Sequence, residues 1–291
     1  MQNHHVEHFN LGNIPALKIS NDFADATVLL QGAQLIQYQA KGQSTLFWEN
    51  PAACFELGRA VRQGIPVCWP WFGQFEKNPP GVQRSFEHLA HKEAHGFARA
   101  ELWTLEACHQ NNEGSEVVFV LNNQNPQIPL SLSLHYHIGR TLSLKLVTRN
   151  HSQMPVEFSQ ALHSYFAVEN ISRTQVQGLE DCHYFDALDD WQEKVQHGPV
   201  NFQAECDRVY FNTPDIMHIA ELSGRKIRLH STGSASAVVW NPWLEKSLTM
   251  SQMPKEAYKK FLCVETANAA SNSICLAPGK QHNLLLNISA N

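Results

Sequence analysis

Two residues in this chain are placed as if for proton transfer. His163 interrupts ALHSYFAV (161–168), a run otherwise suited to a buried strand. Read as one strand, VEFSQALHSYFAV (156–168) sets Val156, Phe158, Leu162, Phe166 and Val168 on one face. Glu157, Ser159, Ala161, His163 and Tyr165 then share the other, as a strand lining a cleft would. An imidazole there can move protons near neutral pH. Glu265, in KFLCVETAN (260–268), follows four residues with a strong burial preference. Desolvation at the end of such a strand raises a carboxyl toward the range of a general base, and a nearby arginine lowers it again. Taken singly, each has a plainer reading: one of sixteen histidines satisfied on a strand face, and a strand-end glutamate facing solvent.

Two further stretches could hold a ligand. AVRQGIPVCWPWFGQF (60–75) is too rich in Gly and Pro for regular structure and too apolar for a floppy loop. It reads as a rigid wall, with Trp69, Trp71 and Phe72 available to stack on a sugar and Arg62 at its start. HGFAR (95–99) joins His95 and Arg99 through a glycine that lets the backbone pass closely. Two guanidiniums suit a phosphate, whose oxygens accept bidentate hydrogen bonds. The plain alternatives are a buried loop plug and surface arginines. His88, His91 and His95, and His135 and His137, could offer metal ligands, but the compact H-x-H with a downstream Glu of a cupin-like site is not clear. The reading therefore carries no metal and no cofactor.

The elements that must position these groups are strands. LSLSLHYHI (130–138) and TLSLKLVTRN (141–150) both alternate and form a hairpin around Gly139–Thr141. Similar runs occur at 26–32, 115–123, 235–241, 260–265 and 282–289. The segment 245–261 offers one or two helical turns, interrupted by Pro254. Many short strands with frequent turns indicate an all-β sandwich or barrel, read here as one domain over 1–291.

The chain has 291 residues, a net charge of −5 and a pI near 6.3, with no basic tract, which argues against a nucleic-acid partner. Seven scattered cysteines, none in a C-x-x-C pair, suit a reducing compartment. The start lacks the shape of a signal peptide, and no run approaches about 18 apolar residues, so no membrane partner and a cytoplasmic location are expected.

The motifs R-x-G-I-P-V-C-W-P-W-F-G (62–73), HGFAR (95–99), ALHSYF (161–166), DRVY (207–210), VWNPW (239–243) and FLCVE (261–265) occur in that order. Together they resemble the hexose-6-phosphate mutarotases, a branch of the aldose 1-epimerase superfamily. The resemblance covers roughly residues 10–290. It implies a large, twisted antiparallel β-sandwich of the galactose mutarotase-like type. It also implies interconversion of the anomers of a hexose 6-phosphate, a reaction whose proton transfers require no cofactor; a monomer is expected. His163 and Glu265 match the catalytic pair, Arg62, Arg99 and Asp207 match substrate-contacting positions, and His95 precedes its glycine as in the family and lines the pocket; Trp71 is expected to bind substrate as a stacking aromatic. Gln63 stands where many relatives have glycine and Ala94 where they have glutamine, which leaves the pair intact and the substrate preference open. The competing readings are an aldose 1-epimerase for unphosphorylated sugar and a non-catalytic sugar-phosphate binding protein.

Overall fold

The alternation read over 130–150 folds as expected. In the computed structural model, which describes residues 5–122, 125 and 127–291, Leu130–Gly139 pairs with Leu142–Asn150 in an antiparallel hairpin. Leu130, Leu132, Leu134, Tyr136 and Ile138 are all buried on one face. The hairpin lies within a nine-stranded antiparallel sheet. Its order is 200–201, 174–177, 216–221, 226–232, 281–290, 142–150, 130–139, 114–121 and 104–111. The strand expected over 115–123 is Gly114–Leu121; Asn123 lies outside the described residues.

A second antiparallel sheet runs 192–195, 183–186, 206–211, 236–241, 261–268, 160–162 and 67–68, with Tyr165–Ala167 also paired to Phe261–Asn268. Four N-terminal strands between His5 and Ala40 form a third sheet. Val156–Phe158 and Ile274–Leu276 make a two-stranded ribbon. The two large sheets contribute to one buried apolar cluster. Leu134, Leu144, Leu146, Leu284 and Leu286 come from one, and Tyr210, Val239, Leu262 and Val264 from the other. Burying a Leu or Ile side chain fully is worth about 1.5–3 kcal/mol, so this interior dominates the favourable side of folding. The chain is all-β, as expected, with several antiparallel sheets.

Two readings change in the structure. The stretch 156–168 is three short strands, Val156–Phe158, Gln160–Leu162 and Tyr165–Ala167, rather than one. Phe261–Asn268 continues three residues past Glu265, and all eight of its residues are buried, so Glu265 sits within a strand and not at its end. A helix at Pro80–Phe86 lacks a clear sequence signal; the helical turns expected after 245 are Trp243–Thr249 and Ala257–Lys259.

Gly96 behaves as its motif suggested. It has φ of +67°, and a Cβ there would collide with the Trp69 carbonyl, which accepts hydrogen bonds from the amides of Phe97 and Ala98. Gly96→Ala should lower stability by about 1–3 kcal/mol from the left-handed strain, before the cost of the collision. Chemical denaturation would show this as a lower midpoint with an unchanged slope.

Candidate active site

Parity along the central strands separates structure from chemistry. In Phe261–Asn268, Leu262 and Val264 enter the main core, while Phe261, Cys263, Glu265 and Ala267 take the opposite face. The adjoining strands follow suit. Val238 pairs across from Glu265, Trp240 from Cys263, and Asp207 from Trp240. These side chains share the sheet face turned away from the main core.

His163 arrives from the other side through a break in pairing. Gln160–Leu162 pairs with Thr266–Asn268, and pairing resumes at Tyr165 opposite Cys263. Between them His163 and Ser164 leave the ladder. The His163 amide donates to Pro66 O at 3.0 Å and the Tyr165 amide to Gly64 O at 2.8 Å. The 60–73 stretch thus replaces the missing strand partner. The break sets His163 Nδ1 3.4 Å from Glu265 Oε1. His163 Nδ1 and Glu265 Oε2 are both buried without a hydrogen-bond partner. Unpaired buried polar atoms are costly, so two in one place mark a site built for an incoming group.

Rings hold the imidazole in place. Tyr165 stacks on it almost parallel, at 4.8 Å and 4°, and Trp240 meets it edge-on at 6.0 Å. His95 lies 5.6 Å away, with φ of +68°. Its Nδ1 accepts from the Gly73 amide at 3.3 Å. In the neutral ring the proton is therefore on Nε2, which makes that atom a donor.

The two arginines are positioned differently. Arg99 Nη2 donates to Ala94 O at 2.7 Å. The Arg62 side chain has no hydrogen bond or ion pair among the described residues. Its backbone, however, is tightly held. Gln34 Nε2 donates to Val61 O and Gln63 O, Asn50 Nδ2 to Arg62 O, and Gln252 Nε2 to Ala60 O. Gln63, the departure from glycine, is buried and bonds the Asn50 amide and Ile36 O, so it braces this loop and does not face the site.

The groups bear on one another electrically. Burial pushes Glu265 well above the usual carboxylate range; Asp207 adds to this and Arg99 opposes it. Burial pulls His163 down to about 3, helped by Arg99 and then Arg62. His95 is lowered by burial, Arg99, His163 and Arg62. Both guanidiniums thus act on the same imidazoles. Without a ligand the pair is driven toward a neutral imidazole beside a protonated carboxyl.

Asp207 is raised from 3.8 to about 6, first by burial, then by Glu205 and, less, Asp186, with Lys246 opposing. A carboxyl raised on folding favours the native state while protonated, below about pH 4, and that contribution is lost as pH rises through about 6. The rise corresponds to about 3 kcal/mol. Asp207→Asn should therefore stabilise the protein by about 1–3 kcal/mol at pH 8 and by little at pH 4. Urea titrations at both pH values would measure it; equal gains at both would refute the assignment.

Six of the seven residues singled out from sequence meet around this face: His163 and Glu265 by direct approach, His95 by ring contact, and Arg62, Arg99 and Asp207 through their fields. Trp71 does not. It is 1% exposed, packed among Phe75, Phe86 and Phe97, with its indole N–H on Glu93 O. Trp69 is equally buried, with its N–H on Thr148 Oγ1. The aromatics that face the site are Tyr165, stacked on His163, Phe72, edge-on to His95, and Trp240. Cys263 was also missed, although it lies two residues from Glu265 on the same strand face. Four of the five candidate metal histidines have other partners, His95 bonding the Gly73 amide. His135 and His137 bond Ser133 and Glu116, and His88 bonds Gln127 O. Among the described residues, the one group of three His, Cys, Asp or Glu side chains with converging donor atoms is His163, Cys263 and Glu265.

The chain belongs to the aldose 1-epimerase family, whose profile matches residues 15–289, and this makes it a carbohydrate epimerase. Within that family the chain is 33% identical over 267 residues to an Escherichia coli (strain K12) protein named "Putative glucose-6-phosphate 1-epimerase", covering 89% of this chain and 85% of that one. A protein of the same name from Cenchrus ciliaris is 28% identical, covering 88% and 78%. The crystal structure of a "putative mutarotase" from Salmonella typhimurium superposes with a TM-score of 0.86 at 28% identity, covering 98% of this chain and 93% of the other. No helix among the described residues is long and apolar enough to cross a membrane.

Proposed function

We propose that the chain is a hexose-6-phosphate mutarotase, acting on glucose 6-phosphate or a close isomer. The observation that carries this is the buried His163–Glu265 couple with unpartnered donor and acceptor atoms, within the field of two guanidiniums. Glu265 takes the proton from the C1 hydroxyl while His163, as imidazolium, protonates the ring oxygen. The C1–O5 bond breaks as the C1 carbonyl forms. The open aldehyde rotates about C1–C2, and the two groups act in reverse to close the ring on the other face. His163 presents Nδ1 to Glu265, which leaves Nε2 for the sugar.

Arg62 and Arg99 hold the phosphate, His95 donates from Nε2 to a sugar oxygen, and Asp207 accepts from a hydroxyl. The phosphate does more than anchor. Burial is the larger cause of the neutral imidazole; the phosphate's negative charge offsets the smaller part that comes from the two guanidiniums, and so favours the imidazolium when substrate is bound. Two-dimensional exchange NMR of glucose 6-phosphate, with and without enzyme and in the presence of a chelator, is the direct test. An unchanged anomeric exchange rate with tight binding would leave only a binding protein.

We further propose that the chain works as a monomer, as one domain over 1–291, in the cytoplasm. Its seven cysteines are all free, which suits a reducing compartment.

A further inference from the structure

We propose that His163 Nδ1, Cys263 Sγ and a Glu265 carboxylate oxygen form an inhibitory site for a soft divalent cation, with Zn2+ the best fit. The three donor atoms lie within 4.8 Å of one another, and all three residues are buried. Cys263 and Glu265 are two positions apart on the same face of Phe261–Asn268, so the strand itself presents both toward His163. The His163 Nδ1–Glu265 Oε1 separation of 3.4 Å already matches an edge of a zinc tetrahedron, about 3.3–3.5 Å for bonds of about 2.0–2.2 Å. The sulfur needs a displacement of at most about 1.3 Å to complete the face.

Two independent features point to a ligand here. Nδ1 of His163 and Oε2 of Glu265 are buried and have no protein partner. The third donor is a thiol, which proton transfer to and from a sugar does not require. Thiolate, imidazole and carboxylate together favour zinc over magnesium or calcium. Binding releases to solvent the proton of the thiol and any proton on Glu265, and the two resulting negative charges offset the dication. Arg62 and Arg99 oppose it, so the affinity should be modest. The fourth position takes water. Because the metal takes the Glu265 carboxylate and fixes a positive charge on the His163 ring, which must accept a proton at Nε2 for turnover, metal and turnover exclude one another. The inhibitory half of this proposal rests on the acid–base reading above; the binding half does not.

Cobalt separates the two halves. Co2+ added to the full-length protein should give a thiolate-to-cobalt charge-transfer band in the near ultraviolet, with visible bands of tetrahedral intensity. Zn2+ should bleach these bands. Zn2+, but not Mg2+, should slow anomeric exchange of glucose 6-phosphate, and EDTA should reverse this. Cys263→Ala should lose the charge-transfer band and need about 10–100-fold more Zn2+ for half-inhibition, with metal-free turnover within about twofold of the wild type. Cys263→Ser, judged folded by its thermal melt, repeats the test if the alanine variant does not fold. Absence of the cobalt band in the wild type, or equal Zn2+ sensitivity in the Cys263 variants, overturns the proposal. A band that depends on Cys263, with exchange unaffected by saturating Zn2+, upholds the site and overturns the acid–base roles of His163 and Glu265.

Discussion

Glu265→Gln lowers kcat for anomeric exchange by about 10²–10⁴, or about 3–5 kcal/mol in the barrier, and His163→Ala does the same. The amide keeps the shape of the carboxyl and removes its proton chemistry, so the fold should survive. Stability should even rise, because an ionisable group in a desolvated place is exchanged for a neutral one. The double variant should lose little more than either single one, since the two groups act on one proton-transfer sequence. Exchange NMR gives the rates, and circular dichroism with thermal melts gives the fold. Near-normal turnover in either single variant would end the assignment.

The second large effect concerns the phosphate. Arg99→Ala should raise KM for glucose 6-phosphate by about 10–100-fold, in line with about 1.5–3 kcal/mol for a charge-assisted hydrogen bond. KM for free glucose should change little, because nothing negative is then bound. Equal changes for both sugars would favour an unphosphorylated substrate. Arg62→Ala should behave likewise, since the backbone around it is held by Gln34, Asn50 and Gln252 independently of its side chain.

How far the sequence reaches depends on what its pattern encodes. The 130–150 hairpin was legible because one face is buried and the other is half-exposed, so apolar and polar residues alternate. Phe261–Asn268 is buried on both faces, and alternation vanishes there. That is why Glu265 looked like a strand end when it lies within the strand. At 156–168 the alternation was present but misleading, because a carbonyl of the 60–73 stretch takes the place of a strand at His163. Only tertiary pairing reveals such a break. Trp71 failed for a related reason: an aromatic in a rigid loop reads the same whether it faces a ligand or a core. The pairing of Arg62 with Arg99, 37 positions apart, follows from no spacing at all; it rested on residue chemistry, two guanidiniums suiting one phosphate, and on the resemblance. Cys263 was within reach of the sequence, since i and i+2 share a face in any strand.

The central strand keeps Leu262 and Val264 on one side and Cys263 and Glu265 on the other. This gives the molecule two substitution landscapes on one length of backbone. A library randomised at the odd-numbered positions can explore new sugars or new reactivities while the even-numbered ones go on specifying the architecture. Diversification in this lineage is therefore expected to be written on one parity, and loss of foldability on the other.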